Sequence, residues 1–272
     1  MNYEYLLLPR LEIQSANAQS TWWLINAAPV MAANLFAHQL GRRVGVFPQA
    51  VGIVHHHAQL LGERFYGKLH PQQRRGAVFI NSDDYSSKNK YALSLQPTAT
   101  CHLVLSLLLA FDSKDGLPSV NKIDGFLAQA RLAGGQIIQH GPIKVLSSEQ
   151  EVKNVLRGGH WLIERMDLMT DGDPLDALIA ACGKPKSNES ATDVSQLSNS
   201  WLTPTTLGYA SVTDFAKRGG VRENYPHAYA EPLVGLVQYV TPRAWGERPL
   251  PLWRGYWPQS DVFIVTQQEN HS

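Results

Sequence analysis

Two cysteines, Cys101 and Cys182, are all that the 272 residues contain. That is too few for a disulfide framework or a cysteine zinc site, so two buried thiols in a cytoplasmic protein are expected. Charge is also scarce. Only 17% of residues are charged, and 24 Lys+Arg against 23 Asp+Glu leave a formal net charge of +1. The large basic excess with which a free-standing DNA-coating protein or anionic-membrane binder neutralises phosphate is missing. Long apolar runs are missing too: the longest, His102 to Phe111, has about half the roughly 20 residues of a membrane span. The opening MNYEYLLLPR carries Glu4, no basic stretch and no small-residue cleavage pattern, so no signal peptide is expected. No fixed-period repeat, GxSxG, P-loop or dinucleotide fingerprint occurs. The length allows one large domain or two small ones. A near-neutral total still permits nucleic-acid binding if basic residues share a face or the chain works inside an assembly.

What is present follows a recognisable order. Tyr5 to Ile13 reads as a strand that ends in the polar run Gln14 to Ser20. Pro29 to Val44 reads as a helix presenting Arg42 and Arg43 at its end, with Met31, Leu35, His38 or Gln39 and Arg42 on successive turns. Ala50 to Leu61 reads as a strand with Val51, Ile53, His55 and His57 facing one way. His102 to Phe111 suits a buried central strand, Val120 to Leu132 a second helix stopped by Gly134-Gly135, and Gln136 to Leu146 another strand. Strand, helix, strand, strand, helix, strand is the split βαβ unit of a ferredoxin-like fold. Within it, Gly62 to Thr100 is a polar excursion that reads as a protruding β-hairpin arm, with short strands at Ala77 to Asn81 and Tyr91 to Leu95. Short helices are expected at Gln150 to Leu156 and Pro174 to Cys182, and a flexible connection from Lys184 to Asn199. Trp201 to Val212, Ala230 to Val240 and Asp261 to Thr266 read as strands of a second small sheet. The expected architecture is therefore α+β. A ferredoxin-like, RRM-like βαββαβ core spans 1–148 with its arm at about 62–100, a connecting region spans 149–200, and a β-rich C-terminal part spans 201–272.

Several clusters invite chemical readings. His55-His56-His57 has no carboxylate or second histidine pair at helical ligand spacing, so a strand histidine that hydrogen-bonds or stacks on a base fits better than a metal ligand. Asp167, Asp171, Asp173 and Asp176 lack calcium-loop spacing and a terminal Glu, and read as charge at a helix N-terminus. Gly134-Gly135 follows a helix where a phosphate cradle would open one, yet it can bring backbone amides near an RNA phosphate. The arm carries Arg64, Lys68, Arg74, Arg75, Lys88 and Lys90 interleaved with Phe65, Tyr66, Phe79, Tyr85 and Tyr91. Rings that stack on bases beside cations that pair with phosphates are what single-stranded RNA binding requires.

Six segments in order then resemble one family. They are Leu6 to Ala18 (LLLPRLEIQSANA), Phe36 to Arg43 (FAHQLGRR), Val51 to Val54, His102 with Leu105 to Leu109, Arg131 to Gly135 (RLAGG), and Trp201 to Pro204 with Gly208-Tyr209. Glu231 to Leu236, leading to Trp245, is similar more loosely. Together they resemble the Csy-type subunit of type I-F CRISPR surveillance complexes. The resemblance implies a repeat-associated RNA-binding core with a β-hairpin thumb at the 62–100 arm, and a noncatalytic role. It implies that the subunit clamps the crRNA 5′ handle, pairs with the large subunit, abuts the repeated backbone subunits and supports capture of target DNA, with no cofactor, metal or membrane. Two departures stand out. The 157–199 region is shorter than the family's longer helical excursion, and Trp22 to Pro29 replaces a more Gly/Pro/Ser-rich approach to the first helix.

From charge, position and these matches, Arg42, Arg43, Arg64, Arg74, Arg75, Arg131 and Arg222 are expected to contact RNA phosphates and bases. Gln14 and Asn17 would reach base edges, Phe65, Tyr66 or His57 would stack, and Gly134 and Gly135 would approach the backbone. The alternative is an RNA endonuclease of the same superfamily that processes repeat RNA, with His57 or His38 as general base on a 2′-hydroxyl.

Overall fold

A fifteen-residue strand, β1 (Tyr3–Asn17), lies inside the main sheet, and Tyr5 to Leu8 are all buried because both of its faces are covered. The computed structural model describes residues 3–71, 99–170, 172–183, 200–219 and 225–268. The strand runs past the expected Ile13 to Asn17 by way of two bulges. At the first, Pro9 and Arg10 step out of register, and the Arg10 N–H, at a backbone φ of 49°, donates to Ser106 Oγ at 2.9 Å. At the second, Ser15 takes φ 55° beside His102.

A small hairpin, β2 (Gln19–Thr21) and β3 (Leu24–Ile25), leaves Trp22 and Trp23 exposed at its tip. The helix α1 (Val30–Val44) follows Pro29 as expected. Its buried stripe is Val30, Ala33, Ala37, Leu40 and Val44, while Leu35, His38, Gln39 and Arg42 face outward. Gly45 closes it in the left-handed region, φ 87°, with its N–H on the Gly41 carbonyl.

Four strands come next: β4 (Ala50–Leu60), the short pair β5 (Gly62–Phe65) and β6 (Lys68–Pro71), and then β7 (Thr100–Asp112). The described part of the arm is the β5–β6 hairpin, turned at Tyr66-Gly67 with φ 48° and 76°. The strands expected at Ala77 to Asn81 and Tyr91 to Leu95 lie outside the described residues, as does the Lys184 to Asn199 connection.

The second helix departs from expectation. α2 (Val120–Leu127) ends five residues before Leu132, and β8 (Arg131–Leu132) and β9 (Gly135–Gln139) form a hairpin instead. Gly134-Gly135 is therefore part of a strand turn and not a helix stop. The strand expected from Gln136 to Leu146 is split as well, into β9 and β10 (Lys144–Leu146). Both parts pair with β1, and Pro142, which has no N–H to donate, falls in the gap.

The rest comprises α3 (Glu149–Val155), β11 (His160–Glu164), α4 (Pro174–Gly183), β12 (Leu202–Ser211), β13 (Ala230–Val240), α5 (Pro242–Trp245), β14 (Leu252–Gln259) and β15 (Val262–Thr266). Ser148 caps α3 by accepting from the Glu151 N–H, and the Glu151 carboxylate accepts from the Ser147 N–H at 2.8 Å. The C-terminal strands do not form a second sheet. An 11-stranded sheet runs β11-β13-β12-β15-β14-β4-β7-β1-β9-β8, with β10 also on β1, and each of these neighbouring pairs is antiparallel. β14 and β11 take successive stretches of the same β4 edge, at Val51-Gly52 and Val54-His55, so the strands from β4 round to β11 close on themselves. One core under α1 and α2 joins Leu6, Ile13, Phe36, Ile53, Leu107, Ile123 and Trp253; a second, on the other face under α3, joins Leu7, Val54, Leu108, Val152 and Trp161.

A candidate nucleic-acid interface at the helix groove and the Gly134 turn

The β8–β9 turn places Ala133 and Gly134 in the left-handed region, φ 49° and 75°, as a tight two-residue hairpin turn requires. Gly135 follows for a different reason: an added Cβ would lie 2.6 Å from Ile13 Cγ2 and 2.7 Å from Gln14 O. The turn is thereby clamped against the end of β1, and the Asn17 N–H donates to the Ala133 carbonyl at 2.7 Å. Arg131 sits opposite Gln136, and Gln136 opposite Gln14, so these three exposed side chains form a row across β8, β9 and β1.

Beside this turn, α1 and α2 flank an open groove of about 820 Å³. Its walls include Leu35, Gln39 and Arg43 from α1, Lys122 and Phe126 from α2, Gln129 just past the end of α2, and Arg131 and Gly134 from the β8–β9 hairpin. Phe36 and Phe126, ring centroids 5.3 Å apart, form its floor. Among the described residues no ion pair engages Arg43, Lys122 or Arg131. Three unpaired cations around an apolar floor suit an anionic ligand with a flat hydrophobic part.

The other expected residues fall around this region. Arg42 is exposed at the end of α1, outside the groove lining, where it also complements the helix dipole. Asn17 is exposed but turned on itself: its Nδ2 donates to Gln19 O and its Oδ1 accepts from Gln19 N–H. Leu60 pairs with Cys101 and Asn17 with Thr100, so the arm springs from the end of the sheet where Gln14, Asn17 and the Gly134 turn lie. On the β5–β6 hairpin, Arg64, Phe65 and Lys68 are exposed and Tyr66 is fully so. Arg74, Arg75 and Arg222 lie outside the described residues.

The histidine triplet differs from its expected pattern. β4 bulges between His55 and His57, so the alternation restarts and Ala58 packs on the core that holds Val51 and Ile53. His57 therefore does not share the face of His55; it is exposed, as is His38 on α1 beside Phe47. Among the described residues no hydrogen bond orients either ring. His55 stands edge-on to Tyr239 at 5.0 Å with its Nε2 buried and unpartnered. Burial first, then His160 and its two neighbours, pushes its pKa down to about 4. His56 is also pushed down, by burial and then by Arg10, and hydrogen-bonds Ser106 Oγ at 2.7 Å. Among the described residues no three His, Cys, Asp or Glu side chains are grouped to hold a metal ion. Asp173 accepts from the Leu175 N–H at 2.8 Å at the start of α4, and Asp167 pairs with Arg165 at 2.9 Å; Asp171 lies outside the described residues.

The groove residues Lys122, Gln39 and Gln129 were not foreseen. Lys122 and Phe126 lie one turn apart on α2 and Gln129 just past its end, and no local pattern announces that Gln39 of α1 lies across the groove from them.

A family model for a CRISPR-associated protein, Csy2, matches residues 6–263. The chain belongs to the Csy2 family. A CRISPR-associated protein Csy2 of Pseudomonas aeruginosa (strain UCBPP-PA14) is 28% identical over 293 aligned positions, covering 87% of this chain and 86% of that one. Membership makes the chain a Csy-type subunit of a type I-F CRISPR system, assembling with other Cas subunits. The matched span contains α1, α2, the β8–β9 turn and the arm, so all the described groove residues belong to the Csy2 region. No helix among the described residues is long and apolar enough to cross a membrane.

Proposed function

We propose that this chain is a noncatalytic subunit of the type I-F effector complex that binds the crRNA 5′ handle. It caps the repeated backbone subunits beside the large subunit and so supports guide-directed recognition of target DNA in antiviral defence. The observation that carries this reading is the set of cations, Arg43, Lys122 and Arg131, that line the groove at the Gly134 turn with no ion pair among the described residues. The polar row of Arg131, Gln136 and Gln14 and the exposed Arg64, Phe65 and Tyr66 on the arm favour the same ligand. A ferredoxin-like core is part of the proposal. It is favoured by the antiparallel order β4-β7-β1-β9, in which β1 leads to α1 and β4, and β7 leads to α2 and β9. A local cluster of cations explains how a chain of net charge +1 holds RNA, since neighbouring subunits share the remaining phosphates.

Purification of the complex with and without nuclease treatment, followed by sequencing of the bound RNA and identification of co-purifying subunits, tests this. The reading expects handle-containing RNA protected in both preparations; a complex whose handle is fully digested contradicts it. Charge reversal at both Arg74 and Arg75 is expected to weaken handle binding, by a factor that shrinks as salt rises because fewer phosphate contacts remain to be screened. Unchanged affinity would remove that part of the arm from the interface.

A further inference from the structure

We infer that the groove between α1 and α2 accepts a single extruded nucleotide of the handle RNA, an adenine read on its base edge by Gln39 and Gln129. This inference rests on the handle-binding reading and adds a site to it. The helices provide the geometry. Each runs against the strand before it, and β1 and β7 are antiparallel, so α1 and α2 are antiparallel too. With Phe36 beside Phe126 at the middle, Arg43 and Lys122 stand toward one end of the groove and Arg131 and Gly134 toward the other. Cations at both ends suit the phosphates before and after one nucleotide.

The middle of the groove suits a base. Leu35, half exposed at 50%, and Phe126 offer an apolar surface, and Gly125 keeps α2 low there, with open space around its missing Cβ. Gln39 and Gln129 border it, both exposed, and neither side-chain amide is engaged among the described residues. A glutamine amide offers one donor and one acceptor in fixed geometry, which matches the adenine N7 and N6 edge. The groove volume of about 820 Å³ falls within the roughly 300–1,000 Å³ typical of small-ligand sites. A base lodged here would be unstacked from its neighbours, which is how proteins read single-stranded RNA in sequence. Exposed Leu35, Gln39 and Lys122 on adjacent helices otherwise have no described packing role.

The test uses the full chain and handle RNAs, each with one nucleotide replaced by an abasic residue. One abasic position, an adenosine in the natural handle, is expected to weaken binding about tenfold. Gln39→Ala/Gln129→Ala, at exposed positions, is expected to weaken binding of the intact RNA by a similar factor and to add no further loss with that abasic RNA. Phe126→Leu, which keeps the floor apolar but removes the ring, is expected to behave likewise. If the glutamine variant binds intact RNA as the wild type does, or its loss adds fully to that of every abasic RNA, the groove does not hold a base. In that case Arg64→Glu/Tyr66→Ala decides the remaining question: its loss of binding leaves the handle reading intact. Failure of the wild type to bind any handle RNA overturns both.

Discussion

At Gly135 an added Cβ would lie 2.7 Å from the Ala16 nitrogen and the Gln14 carbonyl oxygen, whereas at Gly134 nothing lies within 4 Å and only φ, 75°, favours glycine. The two substitutions to alanine should therefore differ. Gly134→Ala is expected to cost about 1 kcal/mol through backbone strain, and Gly135→Ala about 2–3 kcal/mol, because backbone must move. Urea unfolding of both variants checks the ranking. His55 gives a pH dependence of defined sign. Its folded pKa is about 4 against an ordinary 6.5, so between those values the unfolded chain binds a proton that the folded chain does not. Stability is full above about 6.5 and falls as pH drops toward 4, by roughly 1.4 kcal/mol per pH unit at the steepest. His55→Phe, keeping a ring against Tyr239, should flatten this part of the urea-midpoint profile; an unchanged slope would assign it to other groups. Such features were illegible beforehand, since the HHH triplet shows neither the bulge that turns His57 outward nor the burial of His55 Nε2.

Elements were legible where local pattern and tertiary packing agree. α1 and β13 end where their periodicity and turn residues say, because Gly45 and the apolar run Leu233 to Val237 act within a few residues. α2 ended early because Arg131 and Leu132 gain sheet pairing with β9 at Gln136 and Gly135, a gain that helical spacing does not register. The Pro9-Arg10 bulge is a similar case, held by a side chain 96 positions away: Ser106 Oγ accepts from the Arg10 N–H and also bonds His56. Ser106→Ala leaves both groups without that partner and is expected to cost about 1–3 kcal/mol, measured by thermal or urea unfolding. Ser106→Thr, which retains the hydroxyl, should recover part of the loss; equal loss in both would point to crowding instead.

For the molecule as a whole, the closed run of strands was the least legible feature. β4 takes β14 and β11 along one edge, and both lie 100 or more positions later in the chain, so no local signal announces the pairing. Trp253 holds that closure: it is fully buried, and its Nε1 donates to the Leu162 carbonyl at 3.1 Å, linking β14 to β11. Trp253→Ala is expected to cost about 3–5 kcal/mol and to expose the β4 edge to hydrogen exchange. Net charge gave little guidance to function, because the cations that matter are gathered by the fold. Arg43, Lys122 and Arg131 come from α1, α2 and β8, and only the fold brings them around one groove. The most direct test is the salt dependence of 5′-handle RNA affinity for the wild type and for Arg43→Glu/Arg131→Glu. At least a tenfold loss is expected, together with a slope of log affinity against log salt shallower by about 1.4, the value for two lost phosphate contacts on a single strand. Equal affinities and equal slopes would contradict an RNA interface at this groove.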